Sequence, residues 1–123
     1  MQIYQLSVIG YVNDMPRVKR KGPPGSIPIR TSIVCAYIFK RNDEGHKFLL
    51  LKRKSKYMFG VWQQVAGKIE KGESAVQAVL REIEEETGNW PKELYSADIA
   101  ETFYDPAHDC IHLVPVFVAE LDP

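Results

Sequence analysis

The sequence has no excess of charge of either sign, and this absence excludes one large class of function. Its 123 residues include 16 basic and 16 acidic side chains, so the formal net charge is zero. A protein whose main task is to hold the phosphate backbone of a nucleic acid needs a basic face, so we expect no nucleic-acid partner. A small phosphorylated ligand remains compatible with this composition.

Cysteine is scarce, and the chain contains no Cys-x-x-Cys pair. The two cysteines, Cys35 and Cys110, lie far apart, each in a run of residues typical of a strand. This pattern predicts two buried free thiols in a reducing compartment rather than a disulfide.

No apolar run is long enough to cross a bilayer as a helix, and the start of the chain shows no signal-peptide pattern. We therefore expect no membrane partner and a cytoplasmic location. The length is sufficient for one compact domain with its own core, and no internal repeat is visible. We predict a single domain over residues 1–123.

The strand predictions rest on runs of β-branched and aromatic residues bounded by turn residues. Predicted strands cover residues 1–12, 30–40, 47–54, 62–67, 94–104 and 110–121, with hairpins around residues 41–46 and 105–109. Residues 13–28 are predicted to form a loop with four clustered basic residues, Arg17, Lys19, Arg20 and Lys21. That cluster is compatible with a solvated loop or with an arm that steers phosphates.

One helix is predicted with defined ends, from Ala75 to Thr87. Ser74 is a suitable N-cap, and Gln77 three residues later completes a capping box. Gly88 provides the left-handed residue that ends the helix.

The helical period separates the side chains of this segment into faces. Four aliphatic residues form a stripe that we predict to face the core, namely Val76, Val79, Leu80 and Ile83. Glu82, Glu85 and Glu86 converge on a different face, whereas Glu84 points elsewhere. On the carboxylate side, Ala75 and Ala78 would leave room for a ligand.

The convergence of three carboxylates has two interpretations. A solvated acidic helix face is the simpler one. The alternative is a site for a hard divalent cation with oxygen ligands, Mg²⁺ or Mn²⁺, which would compensate the mutual repulsion of the three groups. Arg81 lies beside Glu82 and Glu85, so it can pair with a carboxylate and fix its rotamer.

Residues 67–89 resemble the Nudix box, G-x5-E-x7-R-E-U-x-E-E-x-G-U, where U is aliphatic. The matching positions are Gly67, Glu73, Arg81, Glu82, Ile83, Glu85, Glu86 and Gly88, while Asn89 departs from the final U. By average composition, these eight matches would arise by chance on the order of 10⁻⁹ times per start position. The pattern of flanking strands extends the resemblance over most of the chain.

The resemblance implies an α+β fold, an α/β/α sandwich around a mixed β-sheet. It also implies an enzyme that hydrolyses nucleoside diphosphates linked to another group, with Mg²⁺ or Mn²⁺ as cofactor. The implied metal ligands are Glu82, Glu85 and Glu86. The implied catalytic residues are Glu73, Arg81, Glu82 and Glu85. Gly67 resembles the glycine that allows close packing against the helix.

The stretch before the box resembles one branch of the family, which cleaves dihydroneopterin triphosphate and dATP and releases pyrophosphate. The pattern is Trp-Gln-x-Val-x-Gly over residues 62–67, and the implied substrate-binding residues are Arg53, Trp62, Ala66 and Gly67. Ala66 stands where that branch usually has threonine, so a hydroxyl contact is lost. Trp62 either stacks on a base or packs in the core, and Tyr57 and Phe59 leave the same choice open.

The family usually continues past the last hairpin into another strand and a closing helix, and we expect this chain to be truncated there. In the resembled branch that part carries a further catalytic glutamate, for which Glu101, Asp105 or Glu120 could substitute. An incomplete fold would expose apolar surface, so we expect a homodimer to be one way of covering it.

Two further functions remain open. One is the hydrolysis of dinucleoside polyphosphates or ADP-ribose. The other is a non-catalytic module that binds a nucleotide or a protein. The intact set of box carboxylates favours an enzyme over a binding module.

Overall fold

The computed structural model describes residue 17 and the ranges 25–49, 51–52 and 62–123. The strand predicted at residues 1–12, the rest of the basic cluster and the residues Arg53, Tyr57 and Phe59 lie outside these ranges.

The described chain forms eight strands and a helix. In chain order they are β1 (Ile29–Arg30), β2 (Ile33–Asn42), β3 (Gly45–Leu49), β4 (Leu51–Lys52), β5 (Trp62–Gln63), β6 (Val65–Lys68), α1 (Ala75–Thr87), β7 (Glu93–Asp105) and β8 (Cys110–Leu121). Both predicted hairpins are confirmed, since β2 pairs with β3 and β7 pairs with β8, each antiparallel.

Six of the described strands form one mixed sheet in which β8 is central. It pairs with β7 on one side, and in parallel with β1 and β2 on the other. The far side of β2 pairs with β3 along one half and with β6 along the other half. Strands β4 and β5 form a separate antiparallel ribbon.

The ends of α1 are those predicted from its capping residues. The Ser74 side chain accepts a hydrogen bond from the backbone N–H of Gln77, whose own side chain accepts one from the backbone N–H of Ser74. Gly88 has φ 73° and donates its N–H to the carbonyl of Glu84, which closes the last turn.

The rotational setting of α1 differs from the prediction. Ala78, Val79 and Ile83 are buried against β2, β6 and β8, whereas Val76 is 47% exposed. The helix is turned toward its small residues because Ala75 and Ala78 allow a close approach to the sheet. The predictions that Val76 faces the core and that these alanines leave room for a ligand are therefore wrong.

The α+β class with a mixed sheet is confirmed, and α1 is the one helix within the described ranges. It covers one face of the sheet and positions its carboxylates above β6. In the same ranges, no helix combines the length and the apolar character needed to cross a membrane. The predicted free thiols are confirmed, since Cys35 and Cys110 are both buried and unpaired.

Candidate active site

Gly67 lies directly beneath the carboxyl group of Glu82. In β6 it pairs with Val34 of β2, on the stretch of sheet that α1 covers. A Cβ atom at this position would overlap the Glu82 carboxyl group, so only glycine leaves the space that this group occupies. The Glu82 side chain is 13% exposed and is therefore largely removed from water.

Arg81 connects the site by a set of directed hydrogen bonds. Its Nε and Nη2 donate to the two carboxylate oxygens of Glu73 at 2.8 and 2.9 Å, in a bidentate pair. Its Nη1 donates to Glu82 Oε1 at 2.9 Å, and Nη2 also donates to the carbonyl of Lys68 at 2.9 Å. The planar guanidinium thus fixes the segment from β6 to α1 against the helix.

Glu73 is held as an ionised carboxylate at the start of this arrangement. Besides the pair with Arg81, its Oε1 accepts the backbone N–H of Glu70 at 2.8 Å. These hydrogen bonds, the one from Arg81 foremost, lower the pKa of Glu73 to about 2. Glu70 itself lies 3.7 Å from Arg81 Nη1 and adds a further negative charge near the guanidinium.

The remaining acidic residues of α1 differ in their contacts. Both carboxylate oxygens of Glu85 lie 3.3 and 3.4 Å from Arg81 Nη1, and the Glu85 side chain is 57% exposed. Glu86 is exposed one turn beyond Glu82, and Glu84 is exposed as well. The structure therefore brings Glu73, Arg81, Glu82 and Glu85 into one cluster.

Glu82 differs electrostatically from Glu73. Burial raises the pKa of Glu82 above the ordinary value, and the charges of Glu85 and Glu86 raise it further, against the opposing effect of Arg81. A largely buried carboxylate with two acidic neighbours favours either a proton or a cation.

This donor set fits a hard divalent cation such as Mg²⁺ or Mn²⁺. The candidate ligands Glu82, Glu85 and Glu86 offer carboxylate oxygens, which such ions prefer. A cation placed there would offset the repulsion that raises the pKa of Glu82.

The predicted substrate-binding residues are not all brought together. Ala66 pairs with Cys35 and is exposed, and because neighbouring residues of a strand point to opposite faces, it faces away from Gly67 and α1. Trp62 lies in β5 opposite Lys52. Arg53 is outside the described residues.

The three acidic residues considered as substitutes for a further catalytic glutamate have other partners. Glu101 accepts hydrogen bonds from Tyr37 at 2.6 Å and from Gln64 at 3.2 Å. Glu120 is buried and forms an ion pair with Arg41 at 3.0 Å. Asp105 contacts histidines at the tip of the β7–β8 hairpin. In the described part of the chain, all three are engaged away from the Arg81 cluster.

Sequence reasoning missed two contributors to the cluster, the Lys68 carbonyl and Glu70. A backbone carbonyl carries no sequence signal. Glu70 stands three residues before Glu73, which is the spacing of a tight turn, so the sequence does carry a signal that the two residues lie close together.

The family description "NUDIX domain" matches residues 30–122. An RNA pyrophosphohydrolase from Erythrobacter litoralis is 40% identical over 67 residues, which cover 54% of this chain and 37% of that protein. An ADP-ribose pyrophosphatase from Methanocaldococcus jannaschii is 44% identical over 50 residues, covering 41% of this chain and 30% of that one. The chain thus spans well under half the length of either relative.

The NUDIX domain of NrtR from Shewanella oneidensis, in a structure with ADP ribose, shares the fold. The TM-score is 0.59 at 20% identity, and the match covers 96% of this chain and 73% of that one. At this identity the likeness concerns the fold alone. Since the family match extends over most of the chain and includes every residue of the Arg81 cluster, the chain belongs to the Nudix family.

Proposed function

We propose that this domain is a divalent-metal-dependent hydrolase of phosphoric anhydride bonds in small nucleoside diphosphate derivatives, with ADP-ribose as the leading candidate substrate. The observation that carries the proposal is the largely buried Glu82 carboxylate, which lies over Gly67 and is oriented by Arg81. A solvated acidic face would need neither the glycine beneath it nor the fixed guanidinium beside it.

The contacts of Glu82 suggest different roles for its two carboxylate oxygens. Oε1 accepts the hydrogen bond from Arg81, which leaves Oε2 for a cation or for the proton of an attacking water. Because burial raises its pKa above the ordinary value, Glu82 accepts a proton more readily than an exposed carboxylate does, as a general base must. Arg81 keeps this carboxylate in one orientation.

Glu73 and Glu85 have supporting roles in the proposed mechanism. The bidentate contact of Glu73 holds the guanidinium in the plane from which it reaches Glu82 and Glu85. Mg²⁺ or Mn²⁺ bound by Glu82, Glu85 and Glu86 would neutralise charge on the phosphoryl oxygens and acidify a water molecule.

The choice of ADP-ribose rests on relatives and on charge. One relative is named an ADP-ribose pyrophosphatase, and the match to it is 44% identical. The other is named an RNA pyrophosphohydrolase. A formal net charge of zero favours a small nucleotide over a long polyanion. Dinucleoside polyphosphates present the same anhydride bond and form the next class to test.

A second candidate is a pyrophosphohydrolase of dATP or dihydroneopterin triphosphate. The pattern Trp62-Gln63-x-Val65-x-Gly67 favours it, whereas the named relatives act on other substrates. We propose in either case that residues 1–123 work as one domain on a small phosphorylated substrate.

Product analysis distinguishes these candidates. The protein is incubated with Mg²⁺ or Mn²⁺ and, separately, ADP-ribose, a dinucleoside tetraphosphate, dATP, dihydroneopterin triphosphate and a 5′-triphosphorylated RNA. AMP and ribose 5-phosphate from ADP-ribose would support the leading proposal. Pyrophosphate from dATP or the pteridine would support the second candidate. No hydrolysis in any arm, with nucleotide binding retained, would contradict both and indicate a binding module.

A further inference from the structure

A second group of metal-ligating side chains lies at the tip of the β7–β8 hairpin. Asp105 ends β7 and pairs directly with Cys110, the first residue of β8. Directly opposed residues of an antiparallel pair share a face, and His112 shares the face of Cys110 because side chains alternate along a strand. The register therefore brings a carboxylate, a thiol and an imidazole together.

This group is separate from the Arg81 cluster. Along β8 the same alternation continues to Val114 and Val116, which pack against Cys35. The helix packs against the other face of β2, where Val34 and Ala36 lie. The hairpin group and the box carboxylates thus occupy opposite sides of the sheet.

The spacing of the donor atoms is close to that of a tetrahedral site, since the ligand atoms of Asp105, Cys110 and His112 all lie within 4.8 Å of one another. Cys110 Sγ lies 3.5 Å from His112 Nε2, and His112 Nε2 lies 2.9 Å from Asp105 Oδ2. With a zinc–sulfur distance of about 2.3 Å and a zinc–nitrogen distance of about 2.0 Å, sulfur and nitrogen ligands stand about 3.5 Å apart. The oxygen and nitrogen would need to separate by about 0.4 Å to reach the corresponding spacing.

A fourth donor is within reach from the solvent side. His108 Nδ1 lies 2.8 Å from the same Asp105 Oδ2, and the His108 side chain is 58% exposed. The segment Asp105-x2-His108-x-Cys110-x-His112 therefore holds three residues whose ligand atoms all lie within 4.8 Å of one another, Asp105, Cys110 and His112, and a further candidate donor, His108, beside Asp105.

The donors are oriented before any ion binds. Asp105 Oδ1 accepts the backbone N–H groups of Ala107 at 3.0 Å and His108 at 3.3 Å, so that Oδ2 faces the imidazoles. The Phe103 ring stacks on His112 at 4.8 Å between centroids. In the described part of the chain Nδ1 of His112 is buried without a partner, so Nε2 is the nitrogen turned toward the group.

We propose that Asp105, Cys110 and His112, with His108 as the fourth ligand, bind one zinc-class transition-metal ion. Nitrogen and sulfur donors select Zn²⁺ or Co²⁺ over the Mg²⁺ expected at the box. One carboxylate and one thiolate balance the charge of a divalent ion, and the thiol proton is released on binding. Four protein ligands make the site structural, a clamp on the hairpin tip.

Cobalt titration of the metal-free 123-residue chain tests this proposal. We expect one Co²⁺ per chain, with a thiolate-to-cobalt charge-transfer band in the near ultraviolet and the strong visible bands of a four-coordinate site. One equivalent of Zn²⁺ should abolish these bands and raise the melting temperature. Excess Mg²⁺ should leave the bands unchanged.

The chain provides matched controls for each ligand type. Cys110→Ala and His112→Gln should lose the charge-transfer band, whereas Cys35→Ala and His46→Gln should keep it. His108→Ala alters an exposed side chain and should fold, but it should require more Co²⁺ for half-saturation. Glu82→Gln should keep the band, which separates this site from the proposed active site.

Three results would overturn the proposal. The first is a wild-type protein that shows no charge-transfer band and whose melting temperature does not change with Zn²⁺. This test does not depend on the folding of any variant. The second is a band that persists in Cys110→Ala. The third is an unchanged Co²⁺ affinity in His108→Ala, which would exclude the four-ligand site.

Discussion

At the residue scale, the cluster depends on the contact between Gly67 and Glu82. The glycine is required by space and not by backbone conformation, since its Cβ would meet the end of a flexible side chain. A substitution there should therefore move the Glu82 carboxyl group without unfolding the sheet.

Gly67→Ala should reduce turnover by two orders of magnitude or so, because a small displacement of a catalytic group has effects of this size. Thermal unfolding should change little. The sharper test is the double variant with Glu82→Gln. If the alanine acts only through the Glu82 carboxyl group, Gly67→Ala should add no further loss to Glu82→Gln. Additive losses would show a second effect of the glycine.

Tyr37 offers a test of the hydrogen bonds that Glu101 accepts from Tyr37 and Gln64, on the face of the sheet that α1 does not cover. Its hydrogen bond to Glu101 is the main cause that raises the pKa of Tyr37 from 10.0 to about 12. A raised pKa favours the neutral phenol in the folded state, so this contribution to stability is present below pH 10 and is lost as the pH rises toward 12.

Phenolate absorbance, taken as the difference between wild type and Tyr37→Phe, should show a late titration. Glu101→Gln should move that titration toward lower pH, because the negative charge that opposes ionisation is removed. A Tyr37 that titrates at the ordinary value in the wild type would contradict the contact.

At the element scale, the setting of α1 decides which residues are structural. Ile83 is fully buried and Val76 is 47% exposed, although both belong to the aliphatic stripe that the sequence favours. Ile83→Ala should cost about 2–5 kcal/mol, as large-to-small core substitutions do. Val76→Ala should stay within about 0.5 kcal/mol, since alanine also has the higher helix propensity. Chemical denaturation measures the free energy of unfolding of both variants. Equal losses would mean that Val76 faces the core as Ile83 does, which would contradict the observed setting of α1.

The ends of α1 were predictable because capping is local chemistry, and the two hairpins were predictable because their turns interrupt β-rich runs. The rotation of α1 was not predictable from aliphatic spacing, because Ala75 and Ala78 allow the closer approach to the sheet. Asp105 is grouped with Cys110 and His112 by the register between β7 and β8. That register cannot be read from the residue pattern of either strand alone. The box residues were recognisable from spacing, but the Gly67–Glu82 contact required the fold.

At the scale of the whole molecule, the sheet separates the Arg81 cluster from the group at the tip of the β7–β8 hairpin. At the Arg81 cluster, protons should compete with Mg²⁺ for the carboxylate oxygens. Burial places the pKa of Glu82 above the ordinary 4.5. Millimolar Mg²⁺ should raise the melting temperature near neutral pH, because it binds the folded state. The gain should shrink as the pH falls toward the pKa of Glu82, where protons occupy the same oxygens. Melts at several pH values with and without Mg²⁺ check this, and a gain that grows on acidification would contradict it.

The central claim, that Glu82 and its oriented neighbours carry out hydrolysis, is tested most directly by kcat/KM for Glu82→Gln and Glu84→Gln on the best substrate. Both variants remove one charge from α1, but only Glu82 contacts Arg81 and lies over Gly67. We predict a loss of about 100-fold or more for Glu82→Gln, which corresponds to about 2.7 kcal/mol of transition-state stabilisation, and a nearly unchanged value for Glu84→Gln. Equal losses in the two variants, or an unaffected Glu82→Gln enzyme, would contradict the account.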